Sequence, residues 1–463
     1  MRVRPTLITI AALAVASLVT ALPGSAVAAG GVDGRPGSAP CGRLDRLVVP
    51  GAAHQEAACL TDLTTAGTTG TPYTDPADWA GLHAAGTVNP TGVPGAQLDG
   101  YFPDTSTSNG NHGWNHDSQF VIRLPDSWNG KLVVTGAPGV REQYATDFVI
   151  SDWVLAKGYA YAATDKGNGG TSFYKDGQQP GDAILEWHER VTELTKAAKA
   201  VVAQRYGRSP ARTYMTGISN GGYLTRWQLE HNPQLFDGGV DWEGTLFRSE
   251  GPNLFTYLPT ALRSYPAYAA GDEAAHRAML DAGFEPGSEF LWPFHYGYYW
   301  DVTQRTYREE LDPAYDGDQE AGTPFCASGT PGCDADYDYL ARPQAVHDAV
   351  ARVSLTGRIG KPMITLHGTY DALLPIRTDS DVYDRLVADA GRSSLHRYYR
   401  FEAGNHVDGL YSAFPDRLRP LLPCDRSAFA ALEAWVEDGV APPADATLPR
   451  PGSGDIVNSC SLS

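Results

Sequence analysis

The chain is poor in the features that mark metal, nucleic-acid and membrane proteins. It has six cysteines, with no CxxC pair and no Cys/His cluster, which argues against a structural zinc site. Positive charge is also scarce. The 36 Lys and Arg face 54 Asp and Glu, and the formal net charge of −18 disfavours nucleic acid or an anionic surface as a partner. Beyond Leu22 no stretch is apolar enough to span a bilayer. Asp334, Asp336 and Asp338 alternate as if to offer oxygens to calcium, but the glycine and glutamate of an EF-hand loop are missing, so a solvated acidic loop is expected. The expectation is a protein without metal, cofactor, nucleic acid or membrane partner that acts on a neutral or hydrophobic substrate.

The amino terminus has Arg2 and Arg4, an apolar run from Thr6 to Leu22, and then Ala26-Val27-Ala28. A charged start, a short apolar stretch and small residues at the end describe a secretory signal peptide over 1–28, so an extracellular protein is expected. Residues 29–40 are Gly, Ala, Pro and Ser with few others and read as a disordered lead-in. In an oxidising compartment an even set of cysteines forms staples, and proximity pairs Cys41 with Cys59, Cys326 with Cys333, and Cys424 with Cys460.

Residues 60–115 show little periodicity and predict a loop-heavy approach. Short β-like runs then follow at Gln119–Leu124, Lys131–Thr135, Tyr159–Thr164, Arg212–Thr216, Gly238–Trp242, Lys361–His367 and Tyr398–Phe401. Helical spacing of Val191, Leu194, Ala198, Val201 and Val202 separates two of them, and Ser427–Glu437 is helical up to Gly439. Strands alternating with helices predict an α/β protein with a mostly parallel sheet flanked by helices. The long gap before Lys361 predicts an inserted lid domain over 249–344, which leaves 41–248 and 345–463 as the main domain. The aromatic run of that insertion contains Trp292, Phe294, Tyr298, Tyr299 and Trp300, which are read either as core or as a wall that stacks on substrate.

Tyr214 to Gly222 joins an apolar strand to a helix through Gly217-Ile218-Ser219-Asn220-Gly221, a GxSxG turn that presents a serine hydroxyl for attack. A serine hydroxyl is too weak an acid to attack unaided, so it needs a histidine base held by an acid. Leu366 to Pro375 supplies the acid: a strand ends, Gly368 turns, and Asp371 follows, with Asp241 and Glu243 in reserve. Glu402 to Gly409 places His406 just past the last strand between glycines, whereas His188, His231, His347 and His367 fall in helices or too close to the acid. For the oxyanion, the amide of Asn220 is one expected donor and that of Gly136 or Ala137 the other.

Three segments carry a resemblance: Leu124 to Lys131, the pair Thr164-Asp165, and Leu432 to Pro442. In order and in kind they resemble secreted α/β-hydrolases of the tannase and feruloyl esterase family, over most of residues 118–443, with a second similarity to extracellular hydroxyalkanoate esterases and depolymerases. The resemblance implies an α/β-hydrolase fold with Ser219 as nucleophile, Asp371 as acid and His406 as base. Ile218 and Val407 stand where tannase-like enzymes usually carry a linked pair of cysteines. The expected function is a secreted serine esterase for a hydroxyalkanoate oligomer or polymer, or a phenolic ester. A serine peptidase of the same fold and a non-catalytic binding protein are the alternatives.

Overall fold

The computed structural model describes residues 41, 42, 44–315 and 333–463. The expected signal peptide, the lead-in, Cys326 and much of the acidic stretch lie outside the described residues.

Ten strands form a single sheet. They are β1 (His54–Leu60), β2 (Gly95–Tyr101), β3 (Gln119–Pro125), β4 (Lys131–Gly136), β5 (Ala160–Thr164), β6 (Arg212–Ile218), β7 (Gly238–Trp242), β8 (Met363–Gly368), β9 (His396–Phe401) and β10 (Ala446–Leu448). Their order is β1-β2-β3-β5-β4-β6-β7-β8-β9-β10. Pairing is antiparallel from β1 to β5 and parallel from β5 to β10. This is an α/β-hydrolase sheet. The helices that matter here are α1 (Asp182–Tyr206), α2 (Asn220–His231), α3 (Leu254–Ala269), α4 (Glu273–Asp281), α5 (Trp292–Tyr298), α6 (Trp300–Leu311), α7 (Gln344–Arg352), α8 (Ser380–Asp389) and α9 (Leu422–Asp438).

Consecutive residues on a strand point to opposite faces, and the central strands use both. Ile122, Val134, Ala162 and Met215 join one core with Val191, Leu194, Ala198, Val201 and Val202 of α1, whereas Val121, Val133, Tyr161 and Tyr214 join the other with Leu422, Phe429 and Leu432 of α9. Burial on both faces is why these strands read as continuous apolar runs.

The antiparallel edge departs from expectation, because β1 and β2 lie in or beside the stretch read as loop. The residues Gly95-Ala96-Gln97-Leu98-Asp99-Gly100-Tyr101 of β2 have low strand propensity, and tertiary partners make up for it. Gln97 accepts from Arg123 Nε at 2.9 Å, Asp99 accepts from the Tyr144 hydroxyl at 2.5 Å, and Arg123 is ion-paired with buried Asp147 at 2.6 Å. A short β10 also follows α9 beyond Pro442-Pro443, which the sequence reading left without structure.

Two of the expected disulfides are present. Cys41–Cys59 ties the start of the described chain to β1, and Cys424–Cys460 ties its carboxyl end to α9. Closing loops of 18 and 36 residues stabilises the fold by about 3 and 4 kcal/mol in the chain-entropy picture. Among the described residues no helix is long and apolar enough to cross a membrane.

Between β7 and β8 the described chain is helical, from α3 through α7. These helices reach the ends of the parallel strands at defined points. Tyr307 of α6 meets Asn220, and the Trp300 indole donates to the Ala372 carbonyl at 2.6 Å.

Candidate active site

Ser219 sits between β6 and α2 with φ 59° and ψ −121°, in the left-handed half of conformational space that a non-glycine residue occupies only at a cost. Small neighbours make the turn possible. A Cβ on Gly217 would lie 2.5 Å from the backbone of Gly221, and one on Gly221 would lie 2.6 Å from the carbonyl of Gly136. The turn is tied on both sides: Ser219 N–H donates to Trp242 at 3.0 Å, and its carbonyl accepts from Tyr223 at 2.9 Å. Strand, helix and serine are thereby held as one unit.

Two other loops come to the same place. His406, 6% exposed, has Nε2 at 3.1 Å from Ser219 Oγ and Nδ1 at 2.7 Å from Asp371 Oδ2. Because a carboxylate only accepts, His406 donates from Nδ1, and Nε2 is left to accept the serine proton. Asp371 is itself fixed, since its Oδ1 accepts from the amides of Leu373 and Leu374, both at 2.8 Å. The acid and base loops cross so closely that a Cβ on Gly368 would be 2.3 Å from the carbonyl carbon of Gly404, and the Tyr370 amide donates to Gly404 at 2.8 Å.

Behind the acid stands a buried hydrogen-bond chain. Arg226 Nη2 donates to Ser380 Oγ at 2.7 Å, Ser380 is 2.7 Å from His367 Nδ1, and His367 Nε2 lies 2.9 Å from the Leu374 carbonyl and 3.3 Å from Asp371 Oδ2. The guanidinium is paired with Asp241 at 2.6 Å and with Asp379 at 3.0 Å. Asp241, a reserve choice for the acid, therefore serves Arg226 instead. Burial acting alone would raise the Asp371 pKa, but His406 and His367 against it hold the carboxyl well below its usual range. Glu243, the other reserve, lies at the same centre: its Oε2 is 3.6 Å from His406 Nδ1. Burial first, and the charge of Asp371 second, push its pKa well up.

The expected oxyanion donors divide. Asn220 opens α2, where helix-end amides and the helix dipole favour negative charge. Its side chain is fully engaged, donating to the Gly139 carbonyl at 2.9 Å and the Tyr307 hydroxyl at 2.5 Å and accepting from Thr245 Oγ1 at 3.1 Å. The Ala137 amide donates to the Thr164 carbonyl at 3.1 Å, so it is spent on the sheet and cannot serve an oxyanion. Gly136 is the last residue of β4, packed against Leu224.

The aromatic run divides as well. Trp292 and Trp300 are fully buried, and their indoles donate to Ser288 Oγ at 3.0 Å and to Ala372. They are core, so neither presents a face to substrate. Phe294 packs on Tyr298 and Tyr299 with centroids 5.1 and 5.5 Å apart, and Tyr298 is 55% exposed. Two residues outside the expected set belong to the site. Tyr307 holds Asn220, and His295 lies buried beside Asp371 and His406, its pKa lowered to about 4 mainly by burial. Their identity as aromatic residues in a helical run carried no signal for this role.

The acidic stretch differs from expectation at one aspartate. Asp334 is buried and accepts from Arg308 Nε at 2.9 Å, while Asp336 and Asp338 are exposed. An ion pair claims the oxygens that a solvated loop would leave to water. Among the described residues, one acidic cluster outside the triad brings Asp104, Asp176 and Glu186 together, each half-buried.

Comparison with known proteins shows what the chain resembles. The model of the family "tannase and feruloyl esterase" matches residues 107–241. Mono(2-hydroxyethyl) terephthalate hydrolase from Piscinibacter sakaiensis is 28% identical over 144 residues, which cover 28% of this chain and 23% of that protein. Among solved structures, feruloyl esterase B from Aspergillus oryzae superposes with a TM-score of 0.51 at 15% identity, covering 84% of this chain and 88% of its own. An esterase from the same organism superposes with a TM-score of 0.50 at 14% identity, over 86% of this chain and 89% of its own. At these identities the two structures are evidence for the shared fold.

Proposed function

From a chain whose residues 107–241 are of the tannase and feruloyl esterase type, we propose a secreted serine carboxylesterase that works through an acyl-enzyme. The observation that carries the reading is the hydrogen-bonded line from Asp371 through His406 to Ser219, with 2.7 and 3.1 Å contacts. His406 Nε2 takes the Ser219 proton as Oγ attacks the ester carbonyl, and Asp371 holds the imidazolium that forms. The oxygen of the tetrahedral intermediate turns toward the amide of Asn220 at the start of α2. The proton then passes from His406 to the departing alcohol, and a water activated by the same histidine releases the acid.

The family match and the likeness to a terephthalate monoester hydrolase favour an aromatic acyl group, as in a phenolic ester, over a hydroxyalkanoate. Tyr298, Tyr299 and Phe294 supply aromatic surface on the helices between β7 and β8, which act as the lid in this reading. The disulfides support an extracellular setting.

The test is labelling with a fluorophosphonate followed by a substrate panel of hydroxycinnamate, hydroxybenzoate and terephthalate monoesters, polyhydroxyalkanoate granules and peptide amides. Modification at Ser219 and preferential release of aromatic acids are expected. Folded protein that stays unlabelled at Ser219 would overturn the serine mechanism, and preferential clearing of granules would overturn the aromatic assignment.

A further inference from the structure

Two carboxyl groups, not one, face His406. Glu243 follows β7 directly, has no exposed surface, and holds φ 51°, a left-handed conformation that side chains other than glycine rarely adopt. Its Oε1 accepts from the Gly368 amide at 2.8 Å. Its Oε2 is buried without a hydrogen-bond donor to accept from, 3.6 Å from His406 Nδ1, a nitrogen already committed to Asp371. Carboxylate oxygens of Glu243 and Asp371 and a ring nitrogen of His406 all lie within 4.8 Å of one another.

The titratable neighbours sharpen the problem. Asp371 and His367 come from β8 and its following loop, His406 and Asp408 from the loop after β9, and His295 and Tyr257 from α5 and α3. Among the described residues no Lys or Arg forms an ion pair or hydrogen bond with Glu243, whose carboxyl meets the Gly368 amide and His406. Two carboxylates this close, away from water and with no cation for the second, cannot both be ionised, and the one with the poorer partners keeps a proton. Asp371 has two amide donors and two histidines, whereas Glu243 has one amide. A proton on Oε2 also removes the orphan, because the neighbouring carboxylate of Asp371 becomes its acceptor.

We propose that Glu243 is a positioning residue that carries a proton, donates it in a hydrogen bond to Asp371, and replaces Asp371 as the partner of His406 when Asp371 is removed. The inference rests on Ser219, His406 and Asp371 acting as read above. Loss of Asp371 takes away the repelling charge, so Glu243 ionises and its Oε2 serves the imidazole.

The experiment compares full-length wild type, Asp371→Ala, Glu243→Gln and the double variant Asp371→Ala/Glu243→Gln on one activated aromatic ester across pH. Loss of the acid from a serine triad ordinarily costs about 10⁴-fold in kcat. Asp371→Ala is expected to lose only about 100-fold, and the double variant a further ~30-fold or more relative to it. With no carboxylate left beside His406, the acidic limb of kcat/KM in the double variant moves to lower pH by roughly one unit. Equal rates and coincident limbs for Asp371→Ala and the double variant would overturn the proposal. Should Asp371→Ala fail to fold, infrared difference spectra of wild type and Glu243→Gln at neutral pH decide: a protonated-carboxyl band present in the first and missing from the second is expected, and its absence from the difference overturns the proposal. Wild type inactive on every ester would instead sink the esterase reading, while the infrared comparison still reports the proton on Glu243.

Discussion

The two walls of the candidate site are built in different ways. On the sheet side Ser219, Asp371 and His406 stand on turns locked by backbone contacts, with Gly217 against Gly221 and Gly368 against Gly404. On the other side the helices between β7 and β8 contribute Tyr307, which is hydrogen-bonded to Asn220, and His295, which is held by packing. Backbone-locked turns fix atoms to fractions of an ångström and tolerate almost no change. A helix face can exchange side chains and keep its position, which would suit the substrate-facing role proposed for it.

The largest effect should come from the sheet side. Ser219→Ala should leave the fold intact and lower kcat by at least ~10⁴-fold, measured as steady-state ester hydrolysis. Gly368→Ala tests the lock without touching a reacting group. Its Cβ would meet backbone rather than a movable side chain, so a loss of about 3 kcal/mol in denaturant titration and a fall in kcat of roughly 10- to 100-fold are expected. Wild-type activity in that variant would break the contrast between the two walls.

On the insertion side the changes should be smaller. Tyr307→Phe removes the hydroxyl that Asn220 donates to and should cost about 1 kcal/mol in stability and roughly fivefold in kcat. A drop as large as that of Gly368→Ala would show that this wall is as rigid as the other. Asp425 of α9 sets the background. Burial raises its carboxyl to about 7, and its Oδ1 has no hydrogen-bond partner. The folded state therefore binds a proton that the unfolded state releases above about pH 4, so this group's contribution to stability is complete below that pH and fades as pH rises toward 7. Asp425→Asn should flatten that decline, with a gain of about 4 kcal/mol at pH 8 relative to pH 4 in thermal unfolding.

How much was legible follows the same division. Strands β3 to β8 were readable within a few residues because they are buried on both faces, and β9 because Tyr398, Tyr399 and Phe401 favour strand. The β2 strand was not, since its Gly, Gln and Asp take their stability from Arg123, Asp147 and Tyr144, residues distant along the chain. Trp292 and Trp300 were read as possible substrate contacts because an aromatic run says nothing about which rings face inward. The amide of Ala137 sat beside the right loop, but a strand-end hydrogen bond to Thr164 had already claimed it.

By itself the sequence determined the alternation that builds the sheet and the turn that exposes Ser219, because strand periodicity and small residues around one serine act over a few neighbouring residues. It also contained Asp371 and His406 as candidates, since each follows a strand and a glycine-bearing turn. Only the tertiary structure decided that these side chains meet Ser219, that Asp241 serves Arg226, and that Glu243 stands as a second carboxyl against His406. Those outcomes depend on distances between segments far apart in the chain, and on which of several buried charges finds a partner; neither is encoded in any local stretch of residues.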